Sequence, residues 1–162
     1  MIDLGVILMT EQFRSAELVD IVNQLESLSY TSVWLPELFG REPMATAGYL
    51  LGRTRNITIA TGIANVYVRD AHATAQARHT LAELSEGRFM LGLGVSNVGL
   101  NRTRGHLWQS PLAKMSAYLN AMDKVKVDAP AASIPAPLYI AAHGPVLQKF
   151  GAERTDGIIT YL

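Results

Sequence analysis

The chain has 162 residues, of which 49% are hydrophobic and 17% charged, and this balance indicates a folded domain rather than a disordered chain. Fourteen basic residues balance fourteen acidic ones, so the sequence offers no excess positive charge for a nucleic acid or an anionic membrane. It contains no cysteine, which excludes disulfide bonds and thiolate metal sites and favours a cytoplasmic location.

Short apolar runs alternate with helical patterns along the first half of the chain. The first run is too short for a membrane span and predicts a buried strand. Strands are predicted at 4–8, 31–35 and 57–61. Helices are predicted to begin at Ser15 as a cap, at Pro43 and after Asp70, and the last two to end near Gly52 and Leu84.

The second half continues this alternation. Its strands are predicted at 89–95, 138–142 and 157–161. A polar loop follows the first of them, and Ser110 with Pro111 then marks the start of a helix. Residues 127–137 are rich in proline and alanine and predict a connector within a single domain that spans 1–162, and a short helix follows Pro145.

Six apolar strands that alternate with helices predict an α/β fold with a parallel sheet covered by helices. A closed barrel and a doubly wound open sheet both fit this order. The doubly wound nucleotide fold normally has glycines in its first turn, but residues 9–13 contain none. A second candidate fingerprint begins at Gly92 and Gly94, yet Asn97 stands where its third glycine belongs. The pattern therefore favours a (β/α) barrel of the TIM type.

In such a barrel the active site lies at the carboxyl ends of the strands. The candidate positions are 9–10, 36–37, 62–65, 95–97, 142–143 and Tyr161. Glu37 follows an apolar strand, so its carboxylate must be paired or must face a polar mouth. It is therefore a candidate ligand contact or general acid/base, or alternatively an ion-pairing group with Arg41 as its partner.

The other candidate positions also leave two interpretations open. Gly62 marks a bulge or close backbone approach to a ligand, or a simple turn. The segment 94–97 offers polar contacts to a ring or carbonyl, or an Asx or Ser turn, and His143 is a ligand contact or a helix-entry residue. His72 and His79 lack metalloprotease spacing, and no nucleophile motif occurs, so a cofactor is expected to supply the reactivity.

Three segments of the chain resemble the luciferase-like monooxygenase family. They are SVWLPE at 32–37, IATGIAN at 59–65 and SEGRFMLGLGVS at 85–96. Two further segments resemble the branch of that family that uses the deazaflavin coenzyme F420. They are LYIAAHGP at 138–145 and AERTDG at 152–157. The resemblance implies an oxidoreductase that transfers a hydride between F420 and a small organic substrate, with FMN-dependent monooxygenation as the alternative.

The resemblance also implies roles for individual residues. Glu37 matches the acidic position near the flavin or deazaflavin ring of the family, and it is the candidate that tunes or relays proton transfer. The cofactor-binding positions it implies are Gly62, Ile63, Ala64, Asn65, Gly94, Val95, Ser96 and Asn97. A cis peptide is implied at Gly62–Ile63, and His143 is the candidate substrate contact. Leu38 departs from a histidine found in some deazaflavin-dependent dehydrogenases, which argues against sugar-phosphate dehydrogenase activity.

The length of the chain departs from the family pattern. A TIM barrel has eight strands and about 250 residues, whereas six strands are predicted here. We therefore expect a partial barrel, truncated at its C-terminal side, with the phosphate anchor of the coenzyme outside the chain. A further hypothesis is that the short chain is a non-catalytic fragment that covers its exposed sheet edges by homo-oligomerisation.

Overall fold

The computed structural model describes residues 3–160, which form strands and helices in alternation. The strands are β1 (Gly5–Ile7), β2 (Ser32–Leu35), β3 (Thr58–Thr61), β4 (Ala64–Asn65), β5 (Phe89–Gly94), β6 (Leu138–Ala141) and β7 (Gly157–Ile159). The helices are α1 (Ser15–Ser27), α2 (Pro43–Leu51), α3 (Ala71–Leu84), α4 (Val98–Thr103), α5 (Pro111–Met122) and α6 (Pro145–Arg154). The predicted mouth position Tyr161 lies outside the described residues.

The strands form one curled parallel sheet in the order β1-β2-β3-β5-β6-β7. The short strand β4 follows β3 along the chain and pairs with β5, so the two pieces act as one interrupted strand. Neighbours in the sheet follow chain order throughout, whereas a doubly wound sheet reverses its order at a switch point. The predicted partial TIM barrel is confirmed, with six β/α positions around an open concave face.

The hydrophobic core lies between the convex face of this sheet and the helices. Alternate residues of a strand point to opposite faces, so Val33 and Leu35 are buried in the core while Ser32 and Trp34 face the concave side. The largest fully buried side chains on the helices are Leu18, Val22, Leu50, Met115 and Leu119. This layering fixes the carboxyl ends of all strands at one rim of the sheet.

Helix starts follow the predicted caps at α2, α3 and α5 but not at α1. The carboxylate of Asp70 accepts a hydrogen bond from Ala73 N at 2.7 Å, as an N-cap should. The prediction that Ser15 caps α1 is wrong, because Ser15 is already the first helical residue and Arg14 is the cap. Glu17 replaces the missing side-chain cap, since its carboxylate accepts from Arg14 N at 2.7 Å.

Part of the predicted polar loop after β5 is helical. Helix α4 has only six residues, too few for a helical period to be visible in the sequence. Asn97 caps it by accepting from Leu100 N at 2.9 Å, and Leu100 and Asn101 are buried. The predicted connector falls within 123–137, a segment that contains no helix or strand. Between residues 3 and 160, no helix is long and apolar enough to cross a membrane.

Candidate functional site

A cavity of about 1520 Å³ extends along the concave side of the sheet, from Asp3 and Thr58 at the amino ends of the strands to Gly62 and His143 at their carboxyl ends. Trp34, Met90, Tyr139 and Ile159 contribute inward-facing side chains from four strands. The rings of Trp34 and Tyr139 meet edge to face, with centroids 6.2 Å apart. No lysine or arginine is among the described residues that line the cavity, so its described wall is largely apolar and carries no fixed positive charge.

At the carboxyl ends of the strands, the surface of the cavity is formed by Gly62 and Ile63, which connect β3 to β4. We call this surface the floor of the cavity. The Gly62–Ile63 peptide is cis, as the sequence resemblance implies. Ile63 packs over Gly94 of β5 so closely that a β-carbon on Gly94 would lie 2.5 Å from Ile63 Cγ1. A β-carbon on Gly62 would lie 3.0 Å from Trp34 Cβ. The two glycines therefore allow backbone and side chain to close into a tight apolar surface.

Asn65 lies behind this floor rather than in the cavity. It is fully buried, and its Nδ2 donates to Asn101 Oδ1 at 2.9 Å while its Oδ1 accepts from Tyr67 N at 3.0 Å. Ala64 is also fully buried, and neither residue lines the cavity. The polar side chain of Asn65 is thus satisfied inside the protein, where it fixes the backbone of β4.

Glu37 is placed behind the cavity wall as well, although Pro36 and Leu38 on either side of it line the cavity. Its two carboxylate oxygens accept hydrogen bonds from Arg69 at 2.8 Å each, and Oε2 also accepts from Asn65 N at 2.7 Å. Arg104 Nη1 lies 3.9 Å from Oε1. The carboxylate therefore ties the end of β2 to β4 through charge-assisted bonds.

Arg69, rather than the predicted Arg41, is the main ion-pair partner of Glu37. Arg41 instead donates to the backbone oxygen of Phe13 at 2.6 Å. Burial works against the charge on Arg69, but the hydrogen bonds and charge of Glu37, with a further contribution from Glu42, raise the pKa of Arg69 above its ordinary value. No sequence pattern indicates this partner, because 32 positions separate the two residues.

The remaining predicted contacts lie at the rim of the cavity. Val95, Ser96 and Asn97 line it after β5, and Ser96 adopts a left-handed backbone conformation with φ of 57°. Asn97 lies at the predicted mouth position, and its side-chain oxygen accepts from Leu100 N three positions on, which makes it the N-cap of α4 rather than the predicted Asx turn. His143 lines the cavity after β6. Gly94 contributes to the site only because its missing side chain leaves room for Ile63.

The other histidines lie away from this rim or outside any metal site. His72 is exposed on α3, and His79 Nε2 is 2.7 Å from the backbone oxygen of Pro130. Throughout residues 3–160, no group of three histidine, cysteine, aspartate or glutamate side chains is arranged to hold a metal ion.

A cluster of three aromatic side chains near the rim was not predicted by any sequence pattern. Tyr67, His106 and Trp108 come together, and the rings of Tyr67 and Trp108 are stacked with an interplanar angle of 14°. We call these three residues the aromatic wall. They derive from two loops about forty positions apart, and no spacing rule connects such loops.

Known proteins with similar sequences and structures share this half-barrel. A 5,10-methylenetetrahydromethanopterin reductase from Methanolobus tindarius is 27% identical over 151 residues, which cover 83% of this chain and 46% of that protein. An F420-dependent glucose-6-phosphate dehydrogenase from Amycolatopsis mediterranei is 30% identical over an alignment of 193 positions, gaps included, that covers 98% of this chain and 57% of that protein. This chain therefore spans about half the length of these relatives.

The fold is also that of a solved structure. The coenzyme F420-dependent tetrahydromethanopterin reductase from Methanopyrus kandleri superposes with a TM-score of 0.82 at 17% identity. The match covers 98% of this chain and 55% of that one. The sequence profile of one family, described as luciferase-like monooxygenase, matches residues 1–162. The chain belongs to the luciferase-like monooxygenase family.

Proposed function

We propose that the protein binds coenzyme F420 with the deazaflavin ring at the strand ends, and that it catalyses hydride transfer between this coenzyme and a small organic substrate. Two similar proteins, the dehydrogenase from Amycolatopsis mediterranei and the reductase from Methanopyrus kandleri, are named as F420-dependent. The balanced charge and the absence of cysteine support a cytoplasmic enzyme without a nucleic acid partner.

The close packing of Ile63 on Gly94 is the observation that carries this proposal. It leaves a compact apolar surface at the carboxyl ends of the strands, where barrel enzymes bind their ligands. A planar ring is well matched to such a surface because it buries one whole face there. When bound, the deazaflavin ring supplies the position that gains or loses the hydride.

The residues around this surface have separate roles in the proposal. Gly62 and Ile63 support one face of the ring, and Val95 bounds it on the side of β5. Ser96, Asn97 and His143 provide polar groups at the rim for ring or substrate oxygens. Asn65 and Glu37 hold the supporting backbone in position from behind.

The first test is a titration of the full-length protein with oxidised F420, followed by the fluorescence of the coenzyme, with FMN titrated in parallel. We expect F420 to bind more tightly than FMN. Gly94→Ala should weaken F420 binding by about tenfold, because the new methyl group must displace Ile63 and so alter the surface on which the ring packs.

Gly52→Ala is the matched control for this substitution. A β-carbon there would lie 3.6 Å from the nearest atom, an ordinary contact, and the residue caps α2 away from the cavity. Its F420 affinity should equal that of the unchanged protein. Tighter binding of FMN than of F420 would instead favour a flavin-dependent monooxygenase, and binding of neither by the full-length protein would refute both.

A further inference from the structure

The aromatic wall lies beside the cavity rim, and its rings contact one another and a lysine side chain. Trp108 and Tyr67 stack with ring centroids 5.8 Å apart, and the ring of His106 lies 5.8 Å from that of Tyr67. Lys114 Nζ of α5 is 4.6 Å from the centroid of the Tyr67 ring. Aromatic stacking and a cation over a ring each add stabilisation beyond simple burial.

Hydrogen bonds between side-chain oxygens and backbone N–H groups connect the aromatic wall to the two loops that carry it. The hydroxyl of Tyr67 accepts from Gln109 N at 2.9 Å, directly after Trp108. At its other end Tyr67 N donates to the buried Asn65 side chain. Trp108 is thus oriented by contacts that start at β4. A ring fixed in this way loses little conformational entropy when a ligand packs on it.

Trp108 is the member of the wall that lines the cavity. Its side chain remains 36% exposed even though Tyr67 stacks on it, so part of the indole is available to a ligand. The neighbouring Leu107 is 87% exposed but does not line the cavity. A large exposed aromatic ring inside a largely apolar cavity is typical of a ligand contact.

We propose that Trp108 is a specificity-determining residue that stacks against the substrate, and that the substrate therefore carries a planar apolar group such as an aromatic ring. This inference rests on the proposed function, since it names the substrate class of the same site. The absence of lysine and arginine from the described cavity lining argues against an anionic substrate, because a negatively charged group there would lose its hydration without gaining a lysine or arginine partner.

The test uses benzyl alcohol as the probe and cyclohexylmethanol as its saturated counterpart, without coenzyme. Binding is followed in nitrogen-15 NMR spectra through the indole N–H signals of the two tryptophans, which Trp108→Phe assigns. We expect saturable shifts of the Trp108 signal with benzyl alcohol and several-fold weaker binding of cyclohexylmethanol. The titration is run on the unchanged chain, and a variant is used only to assign the two signals.

Variants give a second, independent measurement. Trp108→Ala should weaken benzyl alcohol binding about fivefold, a change within the range of one aromatic pair, whereas Trp108→Phe should stay within about twofold. Leu107→Ala, the matched control, should leave the affinity unchanged. Equal effects of the alanine variants at 107 and 108, or no saturable shift of the Trp108 signal, would overturn the inference.

The two proposals can fail separately. Loss of F420 binding together with a Trp108-dependent benzyl alcohol site would remove the coenzyme assignment but keep the aromatic site. Normal F420 binding with no role for Trp108 would keep the proposed function and remove the inference about its substrate.

Discussion

Glu37 occupies the strand end expected of a catalytic carboxylate, yet its side chain points behind the cavity wall. Its oxygens are occupied by Arg69 and by the backbone N–H of Asn65. A carboxylate that bonds a backbone amide acts on the site through the chain rather than through the ligand. We infer that Glu37 is a positioning residue that holds the segment 62–65 beneath the ring.

We expect Glu37→Gln to lower the free energy of unfolding by about 2 kcal/mol, because the charge-assisted bonds to Arg69 become neutral while Arg69 stays largely buried. The same change should weaken F420 binding several-fold, since the backbone at Asn65 loses a strong acceptor. Urea denaturation and the fluorescence titration measure the two effects.

Glu153→Gln is the control for Glu37→Gln. Glu153 pairs with Lys149 at 3.9 Å on the exposed face of α6, and such pairs contribute less than about 0.5 kcal/mol. If Glu37→Gln leaves both stability and coenzyme affinity unchanged, the positioning role is wrong.

At the level of elements, helix α1 supports the turn that leads into β3. The carboxylate of Glu26 accepts hydrogen bonds from the backbone N–H groups of Arg55, Asn56 and Ile57. Burial acts to raise the pKa of Glu26, but these hydrogen bonds outweigh it and lower the pKa below its ordinary value. The ionised form is therefore favoured more in the folded chain than in the unfolded one.

Replacement of Glu26 by glutamine should destabilise the protein in a pH-dependent way. The contribution of a lowered carboxyl pKa is fully present above the unfolded value of about 4.3 and is lost as the pH falls through the folded value. We expect Glu26→Gln to be less stable than the unchanged protein at neutral pH, and the difference to shrink in acid. Denaturation at several pH values tests this, with the exposed Asp20→Asn of the same helix as control. A difference that is constant with pH would contradict it.

The elements show which features the sequence could predict. Apolar runs and proline or aspartate caps located the main strands and most helix starts, because both signals are local. The Ser15 cap failed since Glu17 performs the same function two positions later. Helix α4 was too short to show a period. Arg69 and the aromatic wall depend on contacts between distant loops, which no local pattern encodes.

For the whole molecule, the open sheet gives the strands unequal protection. Among the described residues β1 and β7 each pair on one side only, while β3 and β5 lie between neighbours and are largely buried. We expect backbone amides of β3 and β5 to exchange with deuterium most slowly, and those of β1 and β7 fastest. Hydrogen exchange read by mass spectrometry measures this order. Slow exchange of either edge strand would contradict it and would indicate that another surface covers that edge.

The contact between Ile63 and Gly94 also limits how the site can evolve. The two positions share one volume across neighbouring strands, so a larger residue at 94 requires a smaller one at 63. A single substitution at either position leaves the site overfilled or leaves a cavity, whereas a paired exchange preserves the total side-chain volume. The shape of the floor thus depends on both residues together, and natural substitutions at positions 63 and 94 should be correlated rather than independent.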